Sequence, residues 1–329
     1  MNIRPRFLIL AITSRCNLSC RYCYLAATSQ GEDMDYDVLD KALSLLGQAD
    51  QKNCLIQITG GEPTLVPDRI ERIIRTTQAM TWQPRLAIQT NATLLTPELI
   101  RLLAENHVQV GVSLDGPPEI QERLRGRADA TLRGLVLLEE MGVPFRVTTV
   151  VSSENILFLD QLALLLAGFS SCRGLGLDLL VQKGRAVTGH LRQATAAKLR
   201  QGITALAQTL AGINRHRAHP LRLRELDLLA TSRPNRPFCH AATGSSLAVH
   251  PDGRLFPCSQ TMGEAAFSLG TIWQPKPQKE TPLQTIRLTS HECTACLLQN
   301  RCPGDCPSRL FHDSDNLLAC TLYRSLEAE

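Results

Sequence analysis

Three cysteines, Cys16, Cys20 and Cys23, stand in the frame CNLSCRYC, a C-x3-C-x2-C spacing. Three thiolates on so short a loop can hold three corners of a cubic [4Fe–4S] cluster and leave its fourth iron without a protein ligand. An open iron can bind a substrate or cofactor directly, whereas a fully ligated cluster only carries electrons. Tetrahedral zinc usually takes a fourth protein ligand, and none stands nearby in the sequence. Seven more cysteines crowd the C-terminal third: Cys239, Cys258, Cys293, Cys296, Cys302, Cys306 and Cys320. Their central run, C-x2-C-x5-C-x3-C, favours iron–sulfur clusters, with a pair of zinc sites as the alternative because the spacing is not far from that of a zinc ribbon. Gly60-Gly61-Glu62-Pro63 can bring backbone close to a ligand and offer a carboxylate to an amine, although the same residues make an ordinary strand-to-helix turn.

These groups need a scaffold, and the chain is long enough to build one. Its 329 residues suit one large domain plus a smaller one, and 43% apolar with 20% charged residues is ordinary globular composition. The net charge of +4 is small and the basic residues are scattered, so no nucleic-acid partner is expected. The opening stretch MNIRPRFLILAITSRC has too short an apolar run to span a membrane, lacks a small-residue cleavage site and leads straight into the cysteine loop. It reads as a strand of a cytoplasmic chain with no membrane partner. Twelve cysteines in such a chain argue for metal, because cytosolic thiols are kept reduced. Cys54, opening an apolar strand, is expected in the core, and Cys172 in a loop between a helix and a strand; neither is given a role.

Between 7 and 182, β-rich runs alternate with helical ones. The strands are FLILAITS (7–14), CLIQITG (54–60), RLAIQTN (85–91), VQVGVSLD (108–115), FRVTTVVS (145–152) and LGLDLLVQ (175–182). Periodic segments between them cover 36–46, 68–80, 97–106, 130–141 and 157–167. This alternation implies βαβ units and a parallel sheet, with fewer repeats than the eight that close a complete barrel. Residues 183–238 read as a helical, basic bridge with a Pro/Arg segment at 233–237. From Cys239 onward the chain is rich in Cys, Gly and Pro, a composition that needs staples such as metal clusters. There, SLAVHPDGRLFPC reads as a hairpin with the turn His250-Pro251-Asp252-Gly253, returning Cys258 toward Cys239.

The frame CNLSCRYCYL, with Tyr22 just before the last cysteine, resembles the N-terminal motif of the radical SAM superfamily. Cys239, Gly253 and Cys258, spaced C-x13-G-x4-C, together with the five later cysteines resemble the SPASM domain carried by many members. The resemblance implies an α/β fold: a partial (β/α)6 TIM-like barrel at 1–182, the bridge at 183–238, and a small cysteine-rich, iron–sulfur-binding α+β domain at 239–329. It implies that the open iron binds S-adenosylmethionine, whose reductive cleavage gives a 5′-deoxyadenosyl radical that abstracts hydrogen; the protein aims that radical at one C–H bond. Gly60, Gly61, Glu62 and Pro63 would contact the methionyl amino group. Ser113, Asp115 and Arg125 resemble positions that hold the ribose and carboxylate, an arginine fork suiting the latter. Gln89, Asn91 and Ser152, at strand ends, are further cofactor or substrate contacts. Cys239, Cys258 and Cys306 would hold a first auxiliary cluster, and Cys293, Cys296, Cys302 and Cys320 a second, fully ligated one.

Two positions depart from the sulfatase-maturing relatives. They carry a further cysteine shortly after the one equivalent to Cys239, where this chain reads His240-Ala-Ala-Thr-Gly-Ser245. The first auxiliary cluster is therefore expected to have an open iron, a non-cysteine ligand (His240, His250 or Asp252) or a smaller nuclearity. They also place a catalytic aspartate after the equivalent of Cys258, where this chain has Ser259, a poor base; sulfatase maturation is thereby disfavoured. The expected substrate is a peptide or protein side chain, and the expected product a thioether or carbon–carbon crosslink. The expected reductant is a flavodoxin or ferredoxin. The first strand lies within ten residues of Met1, so a leader peptide is expected to be read by the bridge, the auxiliary domain or a separate protein. The alternatives are the same chemistry on a small molecule, such as haem-precursor decarboxylation, and a non-catalytic iron–sulfur or zinc scaffold.

Overall fold

The computed structural model describes residues 5–46, 53–232, 237–276, 280–286, 293, 295–313 and 317–327. Six parallel strands follow one another across a sheet: β1 (Phe7–Ala11), β2 (Leu55–Thr59), β3 (Arg85–Thr90), β4 (Gln109–Ser113), β5 (Phe145–Val151) and β6 (Cys172–Leu179). Between them run α1 (Tyr36–Ser44), α2 (Pro67–Gln78), α3 (Pro97–Glu105), α4 (Pro118–Leu124), α5 (Ala128–Glu140) and α6 (Leu159–Ala167). This is the expected α/β plan, a mostly parallel sheet left open as a partial barrel. The helices form where apolar residues recur at helical spacing: α2 buries Ile70, Ile73, Ile74 and Thr77 and exposes its arginines. α3 starts where Thr96 caps it, its hydroxyl accepting from Leu99 N (3.3 Å), with Pro97 in the first turn.

Two details differ from expectation. The periodic pattern omits α4 because Pro117-Pro118 reads as a break, yet proline in a first turn gives up no hydrogen bond. β6 begins at Cys172, which is fully buried in the sheet and not in a loop; Arg173 and Gly174 interrupt the apolar run that would have marked it. Cys54 is buried beside β2, as core. The bridge contains α7 (Arg185–Thr188), α8 (Ala196–Asn214), the short strand β7 (Arg222–Leu223) and α9 (Arg224–Thr231); of its Pro/Arg segment at 233–237, residues 233–236 lie outside the described residues.

The hairpin of the cysteine-rich region forms as β8 (Ser246–Val249) and β9 (Leu255–Phe256), followed by α10 (Pro282–Thr285), α11 (Pro307–His312) and α12 (Leu318–Glu327). β8 pairs in parallel with β1, Phe7 opposite Ser246 and Leu10 opposite Val249, so one sheet runs β7-β6-β5-β4-β3-β2-β1-β8-β9. β1 is consequently buried on both faces. Leu8, Leu10 and Ile12 enter the main core under the helices, while Ile9 and Ala11 join Ala248, Phe256, Met262, Phe267 and Leu283 on the other side. Each such leucine or isoleucine contributes about 1.5–3 kcal/mol by leaving water. Among the described residues no helix is long and apolar enough to cross a membrane.

Candidate functional site

The loop bearing Cys16, Cys20 and Cys23 leaves the carboxyl end of β1, and three sets of contacts fix its path. The ladder with β2 continues past the strands: Gly61 N donates to Thr13 O and Glu62 N to Arg15 O, both at 2.8 Å. A Cβ at Gly60 would stand 2.2 Å from the Thr13 carbonyl oxygen, and one at Gly61 2.0 Å from that of Arg15. The two glycines are thus required by the approach of this loop, where the sequence suggested the approach of a ligand. On the far side Arg15 forks onto Asp33 (2.9 and 2.6 Å), which also accepts from the Thr13 hydroxyl (2.6 Å). From the bridge, Arg185 donates through Nε to Cys20 O and through Nη1 to Ala27 O, both 2.8 Å, and its backbone N reaches Cys23 O at 3.1 Å. Gly184, at φ +58°, has room for no Cβ there, since one would meet Cys23 O at 2.4 Å.

The carboxylate of Glu62 is fully buried and hydrogen-bonded. Oε1 accepts from Thr64 N (3.1 Å), the Thr64 hydroxyl (2.6 Å) and the Thr90 hydroxyl (2.6 Å), and Oε2 from Asn91 N (2.7 Å). Burial pushes its carboxyl up, and these donors pull the other way. Glu62 therefore ties β2 to β3, while its Oε2, accepting from Asn91 N, keeps a lone pair for a further donor; Pro63 is buried in the turn behind it. Asp115 is likewise a support: completely buried, it accepts from Tyr22 OH and Arg125 Nε (2.9 Å) on Oδ2 and from Val150 N (3.0 Å) on Oδ1. Arg125 in turn lies over the Tyr22 ring (5.1 Å to its centroid) with Nη1 3.9 Å from Cys20 Sγ. Ser152 does not face the site either; its N and hydroxyl both donate to Asn155 Oδ1 (2.8 and 3.1 Å) inside a buried turn. Gln89 donates to the Ser113 hydroxyl (2.9 Å), and Asn91 to Asn17 Oδ1 (2.9 Å), joining β3 to β4 and to the cysteine loop.

These elements enclose a cavity of about 390 Å³, within the range of small-molecule sites. The barrel gives it Cys16, Cys20, Tyr22, Cys23, Gly60 to Glu62, Gln89, Asn91, Ser113 and Arg125; β6 and the bridge add Asp178, Arg185 and Arg224; the cysteine-rich region adds Cys258, Ser259 and Gln260. A larger, open groove of about 680 Å³ between the β3–α3 loop and α5 contains no cysteine. Tyr24 also lines the cavity, its buried phenol hydrogen-bonded to Ser259. Arg185, Arg224, Tyr24, Asp178 and Gln260 are absent from the sequence reading. The pair Gly184-Arg185 directly after the last barrel strand is the one local signal that marks any of them.

None of the twelve cysteines forms a disulfide, and ten of them act on one another in three sets. Burial pushes Cys16 up to about 12, with the nearby charges of Glu62, Cys20 and Cys23 adding to it. Burial pushes Cys258 up to about 11 beside Cys239, and Cys306 higher still beside both. Cys320 is pushed up to about 11 by burial and by Cys293, Cys302 and Cys296, which share with it a cavity of about 180 Å³. Clustered, partly buried thiolates that repel one another suit a polynuclear cation, whose charge removes that cost. Cys306 donates to Gln260 Oε1 (3.6 Å). His240 packs near Phe7 and bonds Ser245 (3.1 Å), while His250 and Asp252 bond each other across the hairpin turn (2.8 Å).

The sequence model of the Radical SAM superfamily matches residues 10–158. An uncharacterised protein of Methanocaldococcus jannaschii is 32% identical over 266 residues, covering 78% of this chain and 86% of that protein. A serine-type anaerobic sulfatase-maturating enzyme of Klebsiella aerogenes is 24% identical, covering 96% of this chain and 83% of the enzyme. An AdoMet-dependent heme synthase of Methanosarcina barkeri is 35% identical over 167 residues, 47% of this chain and 45% of the synthase. Among solved structures, native anSMEcpe with bound AdoMet and Cp18Cys peptide shares the fold at a TM-score of 0.79 and 22% identity, covering 98% of this chain and 95% of that one.

Proposed function

The chain belongs to the radical SAM superfamily, and from that premise we propose that it abstracts hydrogen from a peptide or protein side chain to form a thioether or carbon–carbon crosslink or another oxidative modification. The observation that carries this reading is the single cavity shared by the first cysteine loop and by Cys258, Ser259 and Gln260. A substrate there touches both cysteine-bearing regions at once. Cys16, Cys20 and Cys23 would hold the [4Fe–4S] cluster, and S-adenosylmethionine bound with it supplies a 5′-deoxyadenosyl radical on reduction. Gly60, Gly61, Glu62 and Pro63 would contact the methionyl amine, the first three lining the cavity. Arg125 and Ser113 face the cavity for the carboxylate and ribose, and Asp115 holds Arg125 in place. Cys239, Cys258 and Cys306 would hold one auxiliary iron–sulfur cluster, and Cys293, Cys296, Cys302 and Cys320 another.

A structural neighbour solved with a peptide supports a peptide substrate. The heme synthase likeness covers 47% of the chain and carries no argument about the substrate. Ser259 faces the cavity and bonds Tyr24, and a hydroxyl is a poor base, which weighs against sulfatase maturation. A flavodoxin- or ferredoxin-type reductant and a separate leader-binding protein complete the proposal. The test is iron and sulfide content of anaerobically purified protein beside a variant with Cys16→Ala, Cys20→Ala and Cys23→Ala. About twelve irons falling to about eight, with loss of 5′-deoxyadenosine formation under dithionite, is the expected result; about ten falling to about six marks a smaller first auxiliary cluster. Zinc in place of iron in the C-terminal sets would remove the auxiliary clusters from the proposal.

A further inference from the structure

Three guanidiniums line the cavity, and two of them have acid partners: Arg125 pairs with Asp115 (2.9 Å), and Arg224 with Asp178 and Glu225 (2.8 and 2.6 Å). Arg185 forms no ion pair among the described residues. Two of its side-chain nitrogens are spent on the carbonyls of Cys20 and Ala27, which fixes the half-buried guanidinium against the cysteine loop and leaves its charge uncompensated. Gly184 lets its backbone dock on Cys23 O, so the clamp is built by the chain path as well as by the side chain. Arg125, approaching Cys20 from the Sγ side, is by contrast neutralised by Asp115.

We propose that Arg185 is a positioning residue that raises the reduction potential of the cluster held by Cys16, Cys20 and Cys23, by presenting a fixed and uncompensated positive charge to Cys20. The inference rests on the reading of those three cysteines as cluster ligands. One-electron reduction makes a cluster more negative, so a fixed cation beside a ligand favours the reduced form; net charge and the surroundings of the ligand sulfurs are the protein's levers on potential. A partly desolvated cavity screens such a charge less than water does.

The experiment is an EPR-monitored redox titration of the anaerobically reconstituted full chain without S-adenosylmethionine. The relevant signal is the one lost when Cys16, Cys20 and Cys23 are all changed to Ala. R185Q should lower the midpoint potential, so that the reduced fraction at a fixed potential falls several-fold. R185K, which keeps the charge without the fork, should stay near the wild type. Thr188→Glu keeps the clamp and sets a carboxylate one helical turn from Arg185; it should also lower the potential, and it serves if R185Q holds too little iron to titrate. A clamp that acts on loop shape alone predicts that R185Q and R185K lose iron alike, while the remaining cluster titrates as in the wild type in all three variants. That result overturns the proposal. A wild-type protein with no signal sensitive to the three cysteines overturns the ligand reading itself, and the inference with it.

Discussion

At the scale of single residues, spacing showed which side chains belong together, while the structure shows what each of them touches. Cys16, Cys20 and Cys23 were legible as a group because they lie at short, countable intervals, whereas the grouping of Cys306 with Cys239 and Cys258 came from the family resemblance alone. The donors that meet Glu62 were not legible, because its type and neighbours say nothing of Thr90 at the end of β3 or of Asn91 just after it. Arg185 was invisible because its partner carbonyl on Cys20 lies 165 residues away. Asp115→Asn leaves Arg125 buried without its counter-charge and should cost about 3–5 kcal/mol, read by chemical denaturation. Gly61→Ala must move the Arg15 carbonyl and should cost at least about 1–3 kcal/mol, with iron in the first cysteine loop falling in parallel. Asp33 is held below the ordinary aspartate range: burial pushes it up, but hydrogen bonds from Arg15 and Thr13 outweigh that. A carboxyl depressed on folding adds stability that is complete above its unfolded value of about 4 and is lost as pH falls through the lower folded value. Acid unfolding followed by circular dichroism should therefore be less steep in Asp33→Asn, which lacks this contribution at every pH.

At the scale of elements, the barrel strands and their helices were readable because each carries its own period. The exceptions share one cause: their evidence is not local. β7 has two residues, and β8 shows the pattern of a hairpin arm but nothing that names β1 as its second neighbour. α4 hides behind a proline pair, and the start of β6 behind Arg173 and Gly174. Where a local device does act, its removal should have a contained effect. Thr96→Ala deletes the cap of α3 and should cost about 1 kcal/mol in urea denaturation, without changing iron content, because Thr96 does not line the cavity.

At the scale of the molecule, the sheet unites the barrel, the bridge and the cysteine-rich region, ending at β7 and β9, both too short to recruit a foreign strand readily. Deleting residues 239–329 would strip β8 from β1 and uncover Ile9 and Ala11 beside a bare ladder edge. Such a truncated chain should be insoluble or aggregate on size-exclusion chromatography, whereas the whole chain should not. The same pairing orders events during synthesis. β1 and the first three cysteines emerge from the ribosome early, but the strand that covers β1 and the residues that roof the cavity follow more than 230 positions later. At about 5–20 residues per second the nascent chain keeps that edge and that loop exposed for roughly ten to fifty seconds. In this interval small solutes reach Cys16, Cys20 and Cys23 unhindered, the iron and sulfide of the proposed cluster among them, and a chaperone has a bare strand to guard.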